Sequence, residues 1–348
     1  MGTIGQFLIS ALIRLISLAI SVVVLVGLLR RRWKVGKQFF YVKPRPTPPP
    51  ILTDPQWGTH AYVDLKEQGI KLHYVEAGDR KNPLIVFVHG FPEFWFSWRH
   101  QLKHFSQKYW VVAVDMRGYG ESDKPSSKSQ YNTDLLIQDL RYFVLALGKK
   151  CTLVAHDWGA VLAWQLVTLH PELFTAHISL NGPHPGAYQK YIRKSFTQLR
   201  MSWYICFFQT PWIPELMLRS HDLQSLEKMF RGTKKNVLAF PDDVIEAFKY
   251  YYSQKGAFTP PINYYRNIVI GDSRKLPVSK IRVPTLVIWG TDDLALSKPL
   301  AKLSSQECES GELKFVEGAS HWVQQDSPDI VNTLIQQYLD SNPSSKIE

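Results

Sequence analysis

Three residues far apart in the chain, Asp157, Asp293 and His321, carry side chains that together could perform nucleophilic catalysis. Asp157 lies in the stretch LVAHDWGA, where an apolar run ends and small residues, Ala155 and Gly159, stand two positions before and two after the carboxylate. This spacing predicts a sharp strand-turn-helix, the nucleophile elbow, with aspartate where the pattern G-x-S-x-G has serine. For Asp157 taken alone, a plain helix N-cap is the alternative.

The residues that could assist Asp157 follow it in the sequence. Asp292 and Asp293 end the run VIWGTDD, and His321 lies in the glycine- and serine-containing stretch GASHW. Nucleophile, acid and histidine in this chain order, each at the end of a predicted strand, match the arrangement of elbow nucleophiles. The spacing alone leaves both aspartates open as the acid.

A carboxylate nucleophile restricts the chemistry. Attack on an acyl carbon would give a mixed anhydride, whereas attack on a strained or activated sp³ carbon gives an ordinary ester. His321, oriented by the acid, could then activate water to hydrolyse that ester. The backbone N–H groups of Phe91 and Trp158 are predicted to bind the resulting oxyanion, and Gly90 permits the close turn before Phe91.

The remaining pattern indicates how these residues are held. The alternating stretch KLHYVEAG predicts an exposed strand, and short apolar runs predict six more, namely LIVFVHG, WVVAVDMRG, TLVAHDWG, HISLNGP, VPTLVIWG and LKFVEG. Amphipathic stretches between and after them predict helices, namely DLLIQDLRYFVLAL, AVLAWQLVTLHP and PDIVNTLIQQYL. The alternation predicts an α/β fold with a mostly parallel sheet and helices on both faces. It stops after Pro185, and the aromatic-rich sequence up to Gly271 predicts an inserted helical cap.

Charge and cysteine content exclude some functions. The formal net charge is +11, but eight basic residues precede the first acidic residue, Asp54, so the rest of the chain carries only three excess positive charges. A basic groove for nucleic acid is therefore not expected. Cys151, Cys206 and Cys308 are few and widely spaced, which favours reduced thiols over disulfides or a metal site.

The N-terminus differs from the rest of the chain. Residues 15–29 carry no charge, residues 7–13 are mostly apolar, and Arg14 separates them, so the segment approaches the ~20 residues of a spanning helix. The basic run RRRWKVGK follows the apolar segment instead of preceding it, which argues against a cleaved signal peptide and places the body of the chain in the cytosol. A helix lying in the membrane interface is the alternative.

Four motifs add a family resemblance that covers the chain from about Asp54 onward. HGFPEFWFSWR, DMRGYGESDKP, HDWGA and GASHW resemble the epoxide hydrolases of the α/β-hydrolase superfamily. With its N-terminal anchor, the chain is most similar to the membrane-bound group that contains epoxide hydrolases 3 and 4. The family spacing Trp-Gly-x-x-Asp implies Asp293, not Asp292, as the partner of His321.

The resemblance also implies residues that bind the substrate. Tyr204 in WYICFFQTPW and Tyr265 in NYYRN are similar to the two cap tyrosines that hydrogen-bond the epoxide oxygen and supply a proton. Pro92 and Trp95 are implied as substrate-binding residues.

These observations predict an epoxide hydrolase (EC 3.3.2 class) that converts lipophilic, fatty-acid-derived epoxides to vicinal diols through an aspartyl ester. The expected divisions are 1–33 membrane anchor, 34–56 proline-rich linker, 57–185 core, 186–271 cap, 272–341 core and 342–348 tail. The expected partners are the epoxide and the membrane of the endoplasmic reticulum, which the anchor is expected to cross once. No metal, cofactor or nucleic acid is implied. A haloalkane dehalogenase and an inactive membrane-anchored scaffold are the alternatives.

Overall fold

The computed structural model describes residues 3–232, 236–268 and 280–342, which form two compact units. Unit 1 contains residues 3–53, 125–132, 202–232 and 236–268, and unit 2 contains residues 54–124, 133–201 and 280–342. Position 271, the predicted end of the cap, lies outside the described residues.

Unit 2 is built on one eight-stranded sheet with the order β1-β2-β4-β3-β5-β6-β7-β8. The strands are β1 Thr59–Leu65, β2 Ile70–Ala77, β3 Leu84–Val88, β4 Trp110–Val114, β5 Cys151–His156, β6 Phe174–Leu180, β7 Thr285–Gly290 and β8 Gly311–Val316. β2 pairs antiparallel with β1 and β4, and the other pairs are parallel. The predicted α/β class is confirmed, and all seven predicted strands are present, although β2, expected to be exposed, is mostly buried.

Burial explains which strands the sequence revealed. β3, β4 and β5 are buried at every position, and strands covered on both faces become continuous apolar runs. β1 was not predicted. Its sequence THAYVDL is exposed or half-buried except at Leu65, so it carries little hydrophobic signal.

Both units also contain α-helices. In chain order they are α1 Thr3–Val35, α2 Arg99–Phe105, α3 Thr133–Leu147, α4 Asp157–Leu169, α5 Pro185–Ile192, α6 Phe196–Met201, α7 Trp203–Phe207, α8 Ile213–Arg231, α9 Asn236–Ala239, α10 Asp242–Ser253, α11 Thr259–Arg266, α12 Pro299–Ser305, α13 Val323–Asp326 and α14 Pro328–Ser341. α8 is interrupted by non-helical backbone from Ser220 to Leu223. The three helices expected from amphipathic stretches correspond to α3, α4 and α14.

Helix α1 is long and apolar enough to cross a membrane over Ala11–Val35, and only 17% of its most apolar window is buried. The buried positions lie on one side of the helix, which packs on α7 and α8 within unit 1. There the Ser21 hydroxyl, with no exposed surface, donates a hydrogen bond of 2.8 Å to Thr210 Oγ1. The apolar helix is thus a possible membrane anchor that is also a packed element of unit 1.

The proline-rich segment expected to be a linker is packed within unit 1. Its Arg45 guanidinium contacts Asp222 at 2.8 Å and Glu246 at 2.9 Å. Leu52, in a short 3-10 turn, is buried. Extended prolines do not prevent this packing, because the residues between them supply the apolar and ionic contacts.

Candidate active site

Asp157 occupies a tight turn between β5 and α4. It has a positive φ of 49°, a backbone conformation that residues other than glycine rarely adopt, and it is the first residue of the helix. At Gly159 an added Cβ would lie 2.5 Å from the Val88 carbonyl oxygen and 2.6 Å from that of His89. The neighbouring backbone therefore requires glycine there, as expected for a nucleophile elbow.

The other two predicted catalytic side chains lie beside this turn. His321 Nδ1 is 2.7 Å from Asp293 Oδ2, and its Nε2 is 3.4 Å from Asp157 Oδ2. Asp293 and His321 are buried, at 8% and 7% exposure. Asp292 is exposed, and its backbone N–H donates a hydrogen bond to the Ala319 carbonyl. The structure brings Asp157, His321 and Asp293 together.

The surroundings shift the pKa values of Asp157 and His321 in opposite directions. Burial alone would raise the pKa of Asp157, but the hydrogen bond and charge of His321, helped by the Phe91 N–H, hold this pKa below its usual value. Burial would lower the pKa of His321, but the charge of Asp293 and hydrogen bonds to both aspartates raise it well above its usual value. The resting site therefore favours an ionised carboxylate next to a basic imidazole.

One of the two predicted oxyanion donors, the Phe91 N–H, contacts the carboxylate. The Phe91 N–H donates a hydrogen bond of 2.8 Å to Asp157 Oδ1. Trp158 is buried and follows Asp157 in the first turn of α4. Pro92 follows Phe91 in the same buried loop, and Trp95 is completely buried with its ring edge-on to Phe94.

Two buried residues within the quoted motifs were not assigned a role from the sequence. His156, directly before Asp157, has its Nε2 2.8 Å from the His321 carbonyl oxygen and its Nδ1 2.6 Å from Glu93 Oε2. Glu93 also accepts the Gly90 N–H at 3.0 Å. Burial alone would raise the pKa of Glu93, but the charge and hydrogen bond of His156 hold this pKa below its usual value. The pair thus fixes the elbow, the Gly90 turn and the histidine loop to one another.

Asn181 is a third residue that the sequence analysis missed. Its Nδ2 donates to Asp293 Oδ2 at 2.7 Å, and its Oδ1 accepts the Gly290 N–H at 2.8 Å. The available signal was its position, because Asn181 directly follows β6, as Asp157 follows β5. Asn181 orients the carboxylate that in turn orients His321.

The two predicted tyrosines lie together in unit 1. The ring centroids of Tyr204, in α7, and Tyr265, in α11, are 5.8 Å apart with the rings nearly perpendicular. Phe208 packs against both rings, and the Gln209 amide donates to the Tyr265 carbonyl at 2.8 Å. Residues far apart in the sequence are therefore held as a pair.

A parallel sheet with a carboxylate at the elbow and a His–Asp pair beside it defines an α/β-hydrolase. The family model for the alpha/beta hydrolase fold matches residues 83–328. Human epoxide hydrolase 4 is 40% identical over 92% of this chain and 91% of its own length, and epoxide hydrolase 3 of Xenopus tropicalis is 40% identical over 85% and 82%. A solved Bacillus megaterium epoxide hydrolase in complex with an inhibitor has a TM-score of 0.74 and 30% identity, covering 81% of this chain and all of that one. The chain belongs to the epoxide hydrolases.

This membership confirms the predicted family and enzyme class. Relatives at about 40% identity that cover most of both chains are named as epoxide hydrolases, as are solved structures with the same fold. The comparisons therefore favour an epoxide hydrolase over the dehalogenase and scaffold alternatives.

Proposed function

We propose that the enzyme opens its epoxide through a covalent ester on Asp157. Asp157 Oδ1 is held by the Phe91 N–H, whereas Oδ2 faces His321, so Oδ2 is the oxygen that attacks the epoxide carbon. The carbon–oxygen bond of the strained ring breaks, and its electron pair goes to the epoxide oxygen, which takes up a proton. An alkyl aspartate and a free hydroxyl result.

Hydrolysis of the ester then uses the His321–Asp293 pair. His321 removes a proton from water, and the oxygen of that water adds to Cγ of Asp157. The negative charge develops on Oδ1, where the Phe91 N–H, assisted by that of Trp158, stabilises it. Collapse breaks the bond between Cγ and Oδ2, so Oδ2 leaves with the diol while the water oxygen stays on Asp157, and the proton on His321 is given to the leaving diol.

The proposal rests on the different contacts made by the two oxygens of Asp157. One contacts a backbone donor at 2.8 Å and the other lies 3.4 Å from the imidazole. An aspartate acting only as a base would not need an amide donor on the oxygen opposite the histidine.

Single turnover in ¹⁸O-labelled water tests the ester route, with enzyme in excess over a reactive epoxide. We expect the label in the peptide that contains Asp157, and unlabelled oxygen in the first diol formed. Label in that first diol would show direct attack by water and would overturn the proposal. The Asp157→Asn protein is the control for non-enzymatic labelling.

We extend the proposal to Tyr204 and Tyr265 as the donors to the epoxide oxygen. Their pairing in unit 1 and the motifs that contain them support this role. We expect Tyr204→Phe and Tyr265→Phe each to lower kcat/KM by about 10²-fold, and the double variant to lower it by about 10⁴-fold, because proton donation to the leaving oxygen is lost. Tyr264→Phe, a neighbour packed against Tyr131, is the matched control. An unchanged rate in the double variant would exclude the role.

The proposed substrates are lipophilic, fatty-acid-derived epoxides. Support comes from the many aromatic residues of unit 1 and from the apolar helix α1, which favour a substrate that partitions into membranes. Competition between an epoxidised fatty acid and a small aromatic epoxide, scored as the ratio of kcat/KM, tests this. A ratio below one would contradict it.

We propose attachment to the endoplasmic reticulum membrane through α1, with unit 2 in the cytosol. The apolar helix followed by basic residues supports a single crossing. The contact of Ser21 with Thr210 supports the interfacial alternative, because a crossing helix would place Thr210 inside the bilayer. A glycosylation-acceptor tag at the N-terminus distinguishes the two. The tag is modified only if it reaches the lumen, and the same tag at the C-terminus should stay unmodified in both cases.

A further inference from the structure

A cluster of three side chains at the β1 edge of the sheet takes no part in the proposed chemistry. His60 lies on β1, His73 lies on β2, and Glu121 follows the GYG turn after β4. One nitrogen from each histidine and one oxygen from the glutamate all lie within 4.8 Å of one another. Two imidazoles and a carboxylate are a ligand set that Zn²⁺ accepts in proteins.

The strand register explains why the two histidines meet. Tyr62 is the residue of β1 opposite His73, so His60, two positions away, is on the same face of the sheet. His60 Nδ1 and His73 Nε2 are 2.9 Å apart. Tetrahedral zinc with bonds of about 2.0–2.1 Å holds its ligand atoms about 3.3 Å apart, so the two rings need to separate by only a few tenths of an ångström.

The surrounding hydrogen bonds have the form expected around a metal site. His73 is fully buried, and its Nδ1 is 2.7 Å from Asp115 Oδ2, which fixes the tautomer whose Nε2 lone pair points toward His60. The same aspartate oxygen accepts the Glu121 N–H at 3.0 Å. The Tyr62 hydroxyl donates to Glu121 Oε2. One buried carboxylate thus orients the His73 ring and holds the backbone of Glu121 next to it.

We propose that His60, His73 and Glu121 form a binding site for a divalent transition metal, with Zn²⁺ as the representative ion. His60 and Glu121 are exposed, so a water molecule completes the coordination and the ion enters from solvent. On binding, the proton on His60 Nδ1 moves to solvent or to Nε2, and no redox change occurs. The ion joins edge strand β1 to β2 and to the turn after β4. This site departs from the sequence-based expectation that no metal is bound.

Metal binding to the full-length protein in detergent tests the site. After treatment with a chelator, the protein is titrated with ZnCl₂ against a chromophoric competitor, and we expect one ion per chain. His60→Asn should weaken binding at least about 100-fold and Glu121→Gln about 10-fold, because each removes one ligand. Both residues are exposed, so these variants should fold. Co²⁺ in place of zinc should give the visible absorption of a tetrahedral complex in the unaltered protein only.

Two exposed residues outside the cluster are the matched controls. His104→Asn and Glu67→Gln remove the same side-chain types, and we expect unchanged affinity. Equal binding in all five proteins would show only adventitious surface binding and would overturn the site. Absence of a one-to-one complex in the unaltered protein would do the same, leaving a simple hydrogen bond between the two histidines.

Discussion

Asp157→Asn is expected to lower kcat by a factor on the order of 10⁴ or more, without loss of the fold. The amide is the same size as the carboxylate, and its oxygen can still accept the Phe91 N–H that now binds Oδ1 at 2.8 Å. It lacks the negative charge that forms the ester. Turnover of an epoxide by the purified variant, with thermal unfolding measured on the same sample, checks this expectation.

The neighbouring acids give this experiment its control. Asp292→Asn removes an exposed carboxylate near the site, and we expect nearly unchanged turnover. If Asp157→Asn kept a tenth of the activity, a nucleophilic role for Asp157 could not be maintained. If Asp292→Asn were as severe as Asp293→Asn, the assignment of Asp293 as the partner of His321 would fail.

His321→Gln is the second large effect, and it should separate the two halves of the reaction. Asp157 can still attack the epoxide, but water is no longer activated, so the ester accumulates and steady-state turnover falls by about 10³-fold or more. Intact-protein mass spectrometry should show one substrate adduct per chain. His104→Gln, in an exposed histidine on α2, should turn over normally and show no adduct. A variant that is inactive and also unmodified would contradict this role.

The raised pKa of His321 fits a base that is needed only in the second half. Asp157 contributes to raising the His321 pKa through its charge and hydrogen bond. Forming the ester removes that charge, so the His321 pKa falls and the imidazole loses its proton more readily when water must be activated. In Asp293→Asn the pKa should fall further, because the charge of Asp293 is the largest influence that raises it. We expect the acid limb of ester hydrolysis in that variant to move to lower pH while the rate drops.

The sequence predicted the parts of the site that carry a local signal. Asp157 follows a buried apolar run and has small residues on either side, and both features come directly from the strand-turn-helix that the structure contains. Asp293 also follows a buried strand, β7, and His321 follows β8, which is mostly exposed but was recognised from its apolar residues. For these residues the chemistry and the local backbone requirement lie in the same few positions of the chain.

The parts that were missed depend on contacts distant in sequence. Glu93 and His156 are 63 positions apart and meet only because β3 and β5 are neighbours in the sheet. His60 and His73 are brought together by the pairing of an exposed strand that has no hydrophobic pattern. Polar networks of this kind are specified by register, which local periodicity does not encode.

The hydrogen bond between Ser21 and Thr210 has a practical consequence for anyone preparing this enzyme. Deleting residues 1–33 to obtain a soluble protein would remove more than a hydrophobic tail, because Leu28 and Ser21 belong to the interior of unit 1. The cut would uncover the surfaces of α7 and α8 that α1 now covers, and the shortened protein would tend to aggregate. Replacing only the outward-facing apolar residues of α1, such as Val23 at 72% exposure, would raise solubility while keeping the packed face.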